Sequence, residues 1–106
     1  RNLVKVGVRD DFSMDVNKLE EAIISDRQRD YIPCCVVATI GTTGTTAIDP
    51  LKPIGELCHK YGIWLHVDAA MAGTALILPE FQWMLEGKEY IAKDGDIMNF
   101  RFSQSK

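Results

Sequence analysis

The chain has 106 residues, of which 46% are hydrophobic and 25% are charged, the composition of an ordinary globular protein. Its net charge of -3, with lysines and arginines scattered among the acids, argues against a general nucleic-acid-binding protein. No apolar run is long enough to span a bilayer, so we expect neither nucleic acid nor a membrane as a partner.

Strand and helix patterns alternate along the first half of the chain. Residues 4–8 predict a short strand. A helix is predicted next, running to about Arg29, because apolar residues recur at helical spacing from Val16 onward. Residues 34–40 then form a continuous apolar run, rich in β-branched side chains, which is typical of a parallel strand buried on both faces.

The second half of the chain repeats this alternation. Asp49 is the predicted N-cap of a second helix, with Pro50 at its first position and Gly62 as its C-terminal cap. A strand over residues 63–67 completes a strand–helix–strand unit of parallel type. We predict a short helix and a last strand at residues 79–87 and 95–102. The predicted fold class is α/β, with a mainly parallel sheet and flanking helices.

The ends of the chain suggest a piece of a longer protein. It has no initiator methionine, and the pattern begins on the approach to one strand and stops just after another. We therefore expect residues 1–106 to be a single, incomplete domain.

Cysteine usage bears on the redox compartment. Cys34, Cys35 and Cys58 lack the spacing of a metal site, and no C-x-x-C pair occurs. We expect three reduced thiols that serve as small core residues, in a cytoplasmic protein.

Asp68 is the most informative residue, because it ends a strand whose other residues are mostly apolar. Ligands of parallel sheets bind just beyond the carboxyl ends of the strands, and a carboxylate brought there needs a cationic partner. Thr43 lies in the Gly/Thr-rich loop, residues 41–46, that follows the preceding strand. If the two strands are neighbours in the sheet, Thr43 and Asp68 lie at the same crevice beyond the carboxyl ends of the strands.

Several chemistries fit these residues less well. The Gly/Thr-rich loop lacks the lysine of a phosphate-binding P-loop, and taken alone it is also compatible with a plain connection. His66 and Asp68 point to one face of a strand, as metal ligands would, but no third ligand is near in sequence, so we expect no metal. No serine has the context of a nucleophile.

Four segments carry a resemblance to a known family. They are DFSM (11–14), VVATIGTT (36–43), GIWLHVDAA (62–70), and AGTA (72–75) with PEF (79–81). In these segments the chain resembles the group II pyridoxal-phosphate-dependent decarboxylases, which act on aromatic L-amino acids, tyrosine or DOPA, and histidine. The resemblance extends over residues 3–91. It implies part of the large cofactor-binding domain of the aspartate-aminotransferase-like fold (fold type I) and a homodimer.

The resemblance also implies roles for single residues. Asp68 matches the acid that pairs with the pyridinium nitrogen of pyridoxal 5'-phosphate, and Ala70 matches the small residue against one face of that ring. Thr43 matches a threonine that contacts the cofactor. The implied activity is decarboxylation of an L-amino acid, of the aromatic class, to the amine and carbon dioxide. The 106 residues alone are expected to be inactive, because catalysis needs the complete site.

The match decays after Tyr90, towards the position where the family has the lysine that forms a Schiff base with the cofactor. A gap-free alignment places Gln104 there, and a small insertion would bring Lys106 there instead, which makes Lys106 the candidate Schiff-base residue. Two other functions stay open. One is an aldehyde-forming or transaminating relative on the same fold. The other, favoured if Gln104 holds the lysine position, is a non-catalytic, decarboxylase-like binding chain.

Overall fold

The computed structural model describes residues 2–85 and 98–101. Helix α1 is Val16–Gln28, strand β1 is Cys35–Thr39, helix α2 is Leu51–Tyr61, strand β2 is Trp64–Asp68 and strand β3 is Met98–Arg101; two 3₁₀ helices, Gly73–Ile77 and Pro79–Leu85, lie between β2 and β3. None of the helices in this part of the chain is long and apolar enough to cross a membrane.

The three strands form a parallel sheet in the order β1-β2-β3. Thr39 of β1 lies opposite Asp68 of β2, and Asp68 lies opposite Arg101 of β3. Helix α2 connects β1 to β2, as a crossover between parallel neighbours requires. The predicted α/β class, the parallel sheet and the strand–helix–strand unit are therefore confirmed.

Both helices begin and end at residues that satisfy their free backbone groups. Asp15 is the N-cap of α1, where its carboxylate accepts hydrogen bonds from the N–H groups of Asn17 and Lys18. Gly62 ends α2 with φ +67°, the left-handed conformation that glycine adopts at low cost. The predicted C-terminal cap is thus confirmed.

The core occupies one side of the sheet. Side chains alternate along the strands, so that Val36, Ala38, Leu65 and Val67 are buried in one cluster with residues of α1 and α2, including Ile54. On the other face, the side chains of Val37 and Trp64 are 57% and 46% exposed. Burial on both faces, as predicted, is therefore not found within residues 2–85 and 98–101, because both helices pack on the same face of the sheet.

Two further predictions are corrected. Residues 4–8 form no strand; within the described chain Val8 makes a single antiparallel bridge with Met14, and a strand needs a longer partner. Cys58 is buried, but Cys34 and Cys35 are exposed, because Cys35 lies on the sheet face that the helices leave open and Cys34 precedes the strand.

The last predicted elements are described in part. The predicted helix at residues 79–87 is a 3₁₀ helix from Pro79 to Leu85, with residues 86–87 outside the described chain. The strand predicted over residues 95–102 is described at Met98–Arg101. Its remaining positions, 95–97 and 102, lie outside the described residues.

Candidate active site

Asp68 ends the central strand of the described sheet and is half-buried. Its Oδ1 accepts a hydrogen bond from the N–H of Ala70 at 3.0 Å. Within residues 2–84, no donor is hydrogen-bonded to Oδ2. The alternation along β2 puts His66 on the same face as Asp68, away from the buried Leu65 and Val67. Among residues 2–84, the carboxylate is thus held by one backbone hydrogen bond, on Oδ1.

Small residues surround the carboxyl end of β2. Ala69 is fully buried, and its C=O accepts a hydrogen bond from the N–H of Gly73 at 2.8 Å. Gly41, which follows β1, approaches the same turn so closely that a Cβ built on it would lie 2.8 Å from the Cβ of Ala72. The two loops therefore meet side by side, and Ala70 lies half-buried between Ala69 and the exposed Met71.

The Gly/Thr-rich loop is folded by its own hydroxyl groups. The Oγ1 atoms of Thr42 and Thr45 are 2.7 Å apart, Thr42 Oγ1 accepts the N–H of Ala47, and Thr46 Oγ1 donates to the C=O of Thr45. Thr43 is exposed, and in the described chain its hydroxyl takes part in none of these bonds. Of the loop threonines, Thr43 is therefore the one whose hydroxyl is left for a ligand.

Asp49 has a different role from the predicted one. The residue in the N-cap position of α2 is Pro50, without a side-chain cap. Asp49 instead accepts the N–H of Met14 on Oδ1 at 2.7 Å and the N–H of Thr39 on Oδ2 at 2.8 Å. The sequence could not reveal this link, because Met14 is 35 positions away and no local pattern connects the two residues.

The structure brings some predicted residues together and leaves others untested. Asp68 and the Gly/Thr-rich loop with Thr43 follow the same edge of the sheet, since β1 and β2 are parallel neighbours. Across the described residues, no three His, Cys, Asp or Glu side chains are grouped as metal ligands. Gln104 and Lys106 lie outside the described residues.

The fold and the position of Asp68 together define a class: a parallel α/β protein with a carboxylate at the carboxyl edge of its sheet, where proteins of this class bind their ligands. Comparison with known proteins identifies the family within this class. Residues 2–93 match the model of the pyridoxal-dependent decarboxylase conserved domain. The chain belongs to the pyridoxal-dependent decarboxylase family.

Individual relatives agree with this assignment. The chain is 51% identical over 80 residues to phenylacetaldehyde synthase of Petunia hybrida, covering 76% of this chain and 16% of that protein. It is 47% identical over 87 residues to tyrosine decarboxylase 2 of Arabidopsis thaliana, covering 82% and 16%. Among solved structures, tryptophan decarboxylase of Catharanthus roseus in complex with L-tryptophan superposes with a TM-score of 0.75 at 42% identity, covering 82% of this chain and 19% of that one. The chain thus spans about a sixth of the length of its curated relatives.

The residues present fit the family's cofactor, pyridoxal 5'-phosphate. A pyridinium nitrogen is a planar cation, and Asp68 offers a half-buried carboxylate with one oxygen that no donor in residues 2–84 occupies. The two residues that follow β2, Ala69 and Ala70, have small side chains. The carboxylate and its small neighbours are therefore suited to this group.

Proposed function

We propose that the full-length protein is a carboxy-lyase that uses pyridoxal 5'-phosphate to convert an L-amino acid of the aromatic class into its amine and carbon dioxide. The observation that carries the proposal is the position of Asp68 at the carboxyl end of β2, with Oδ2 bonded to no donor within residues 2–84. Relatives named for tyrosine and tryptophan support the aromatic class of substrate.

In this proposal Asp68 holds a positive charge on the cofactor. A carboxylate beside a ring nitrogen favours its protonated form, because opposite charges at short range stabilise each other. The bound cofactor supplies a ring that accepts the electron pair left when the substrate carboxylate departs. The N–H of Ala70 orients the Asp68 carboxylate, and the small side chain of Ala70 leaves space for the ring.

The remaining contacts of the proposed site come from Thr43 and from a lysine. Thr43 contacts the cofactor through the hydroxyl that the Gly/Thr-rich loop leaves free of internal hydrogen bonds in the described chain. Lys106 is the candidate for the covalent link to the cofactor. We also propose that the full-length protein is a cytoplasmic homodimer whose cofactor domain includes residues 1–106; light scattering of the purified protein tests the dimer.

A second function is favoured by a specific observation. Phenylacetaldehyde synthase of Petunia hybrida is among the similar relatives, and so is the structure of 4-hydroxyphenylacetaldehyde synthase of Rhodiola rosea, which has a TM-score of 0.79 at 37% identity. An aldehyde-forming enzyme would use the same cofactor and the same Asp68. Assay of both products, amine and aldehyde, from aromatic L-amino acids distinguishes the two activities.

The test uses the full-length protein with Asp68→Ala and Asp68→Asn. We expect both variants to release carbon dioxide at least about 100-fold more slowly, because the charge that stabilises the protonated ring is lost. Asp15→Asn is the matched control, since it removes a carboxylate at a helix N-cap where Asn serves equally well. Addition of pyridoxal 5'-phosphate should give the wild type a visible absorption band of lysine-bound cofactor. Near-normal turnover by both Asp68 variants would contradict the proposal. If the wild-type protein does not change the absorption spectrum of added pyridoxal 5'-phosphate, the non-catalytic alternative is favoured.

A further inference from the structure

Strand β1 has an open edge in the described sheet, because β2 pairs with it on one side only. At Thr39 this edge is closed by a single residue. Asp49 accepts the N–H of Thr39 on Oδ2 at 2.8 Å, and its own N–H donates to the C=O of Thr39 at 3.0 Å. Both outward backbone groups of Thr39 are therefore satisfied by Asp49.

The same carboxylate reaches a third segment of the chain. Oδ1 of Asp49 accepts the N–H of Met14 at 2.7 Å, and Met14 is a buried residue just before the Asp15 cap of α1. Hydrogen bonds that involve an ionised acceptor are shorter and stronger than neutral ones. Asp49 thus joins the approach to α1, the end of β1 and the approach to α2.

The clamped strand end is next to the proposed cofactor site. Thr39 lies opposite Asp68 in the sheet, and the following N–H, of Ile40, donates to the C=O of Asp68 at 2.9 Å. The Gly/Thr-rich loop with Thr43 starts one residue later. A displacement of Thr39 would therefore move the loop relative to the Asp68 carboxylate.

We propose that Asp49 is a positioning residue of the cofactor site, which sets the distance between Thr43 and Asp68 without touching the cofactor. The inference rests on the proposed function, since it concerns the binding of pyridoxal 5'-phosphate at that site. A small misplacement of binding groups is sufficient to lower turnover strongly.

The test is Asp49→Asn in the full-length protein. Asn retains the size of Asp but can accept only on its carbonyl oxygen, so that either Met14 or Thr39 loses its partner. We expect pyridoxal 5'-phosphate to bind about tenfold or more weakly in titrations of the apoprotein, as loss of one charge-assisted hydrogen bond implies. The visible circular dichroism of the bound cofactor should change as well, because the groups around it are displaced.

Asp15→Ala is the matched control. It removes another carboxylate that holds backbone N–H groups near Met14, and it should lower the urea midpoint while leaving cofactor affinity within about twofold of the wild type. If Asp49→Asn does not fold, Asp49→Glu takes its place, since it keeps the charge and both oxygens but moves them by one methylene.

The outcomes are distinct. Weaker binding and altered dichroism in the Asp49 variant, with neither in Asp15→Ala, support the inference. A variant with wild-type cofactor affinity and dichroism would overturn it and leave the proposed function intact. A wild-type protein that binds no pyridoxal 5'-phosphate would overturn both.

Discussion

Gly41 is a residue whose backbone leaves no room for a side chain. Its φ of +72° is in the left-handed region, and a Cβ built on it would lie 2.8 Å from the Cβ of Ala72. At Gly44, three residues along the same loop, the corresponding position has no atom of the described residues within 4 Å, its chain neighbours aside. The two glycines therefore separate the effect of a close approach from the general effect of a glycine replacement.

We predict that Gly41→Ala destabilises the full-length protein by about 1–3 kcal/mol, because alanine is strained in the left-handed region and also pushes Ala72 away. Urea unfolding gives the free energy, and titration with pyridoxal 5'-phosphate should show weaker binding as well. Gly44→Ala should stay within about 0.5 kcal/mol of the wild type. Equal stability of the two variants would mean that the close contact between Gly41 and Ala72 does not contribute to the free energy of unfolding.

Single residues also show how far local sequence signals reach. Gly62 could be predicted as a cap, because the left-handed position at a helix end is decided by neighbours along the chain. Asp49 has an equally good local signal, Asp before Pro, yet its carboxylate bonds to Met14 and Thr39. The choice among these N–H groups depends on which segments the fold brings near. That information is absent from a local pattern.

At the scale of elements, the carboxylate of Glu20 in α1 contacts two polar side chains of α2, and Arg27 of α1 lies over the Tyr61 ring at 5.5 Å. Glu20 Oε1 accepts hydrogen bonds from Lys60 Nζ at 3.1 Å and from the Tyr61 hydroxyl at 3.0 Å. The Lys60 hydrogen bond, followed by that of Tyr61, lowers the pKa of Glu20 below its ordinary 4.5. The same pairing raises the pKa of Lys60 above 10.5. The Lys60 hydrogen bond is exposed and that of Tyr61 is only partly buried, so their contribution to stability is small and sensitive to salt.

We predict that Glu20→Gln removes a pH-dependent part of the stability. A carboxyl with a lowered pKa in the folded state stabilises the protein above its ordinary pKa, and the stabilisation is lost as pH falls through the folded value. The stability difference between wild type and variant should therefore be constant near neutral pH and shrink as pH falls below 4.5. Urea titrations over this range measure it. Glu21→Gln is the control, because it makes an equal change of charge one residue away, where no bond to Lys60 or Tyr61 is lost. The prediction would be contradicted if the free energy of unfolding of Glu20→Gln ran parallel to that of the wild type from neutral to acid pH.

The helices and strands could be predicted where the local spacing of apolar residues determines the secondary structure. Helical spacing predicted α1 and α2, and short runs of mostly apolar residues predicted β1 and β2. The failure at residues 4–8 has a physical cause. A strand exists only by pairing, and Val8 finds just Met14 as a partner in the described chain. Composition alone does not say whether a partner is present.

At the scale of the whole molecule, the described residues cover one face of the sheet and leave the other open. Val37 and Trp64 lie on the open face, 57% and 46% exposed, although β1 and β2 are composed mainly of apolar residues. The prediction of two buried faces came from that composition. No element among the described residues covers the second face, and the chain spans 16% of relatives such as tyrosine decarboxylase 2 of Arabidopsis thaliana.

We predict that Trp64→Ala destabilises the full-length protein by about 3–5 kcal/mol, the cost of truncating a buried aromatic side chain. The reason is that the remainder of a longer protein would cover this face. Urea unfolding of the full-length protein measures the change, and Trp64→Phe should lose less because it keeps an aromatic ring. A change within about 0.5 kcal/mol, usual for a surface position, would show that the face stays open.

The alternation along β2 also constrains how this segment can change in evolution. Both ends of the strand are tied to β1, through Trp64 N–H to the C=O of Cys34 and Ile40 N–H to the C=O of Asp68. Insertion or deletion of a single residue between Trp64 and Asp68 would move the side chains at one end of the strand to the opposite face of the sheet. If that end is Asp68, its carboxylate would point towards Ile54 and the core. An isolated charge there is too costly to keep. We therefore expect natural variants of β2 to differ in length by two residues or not at all.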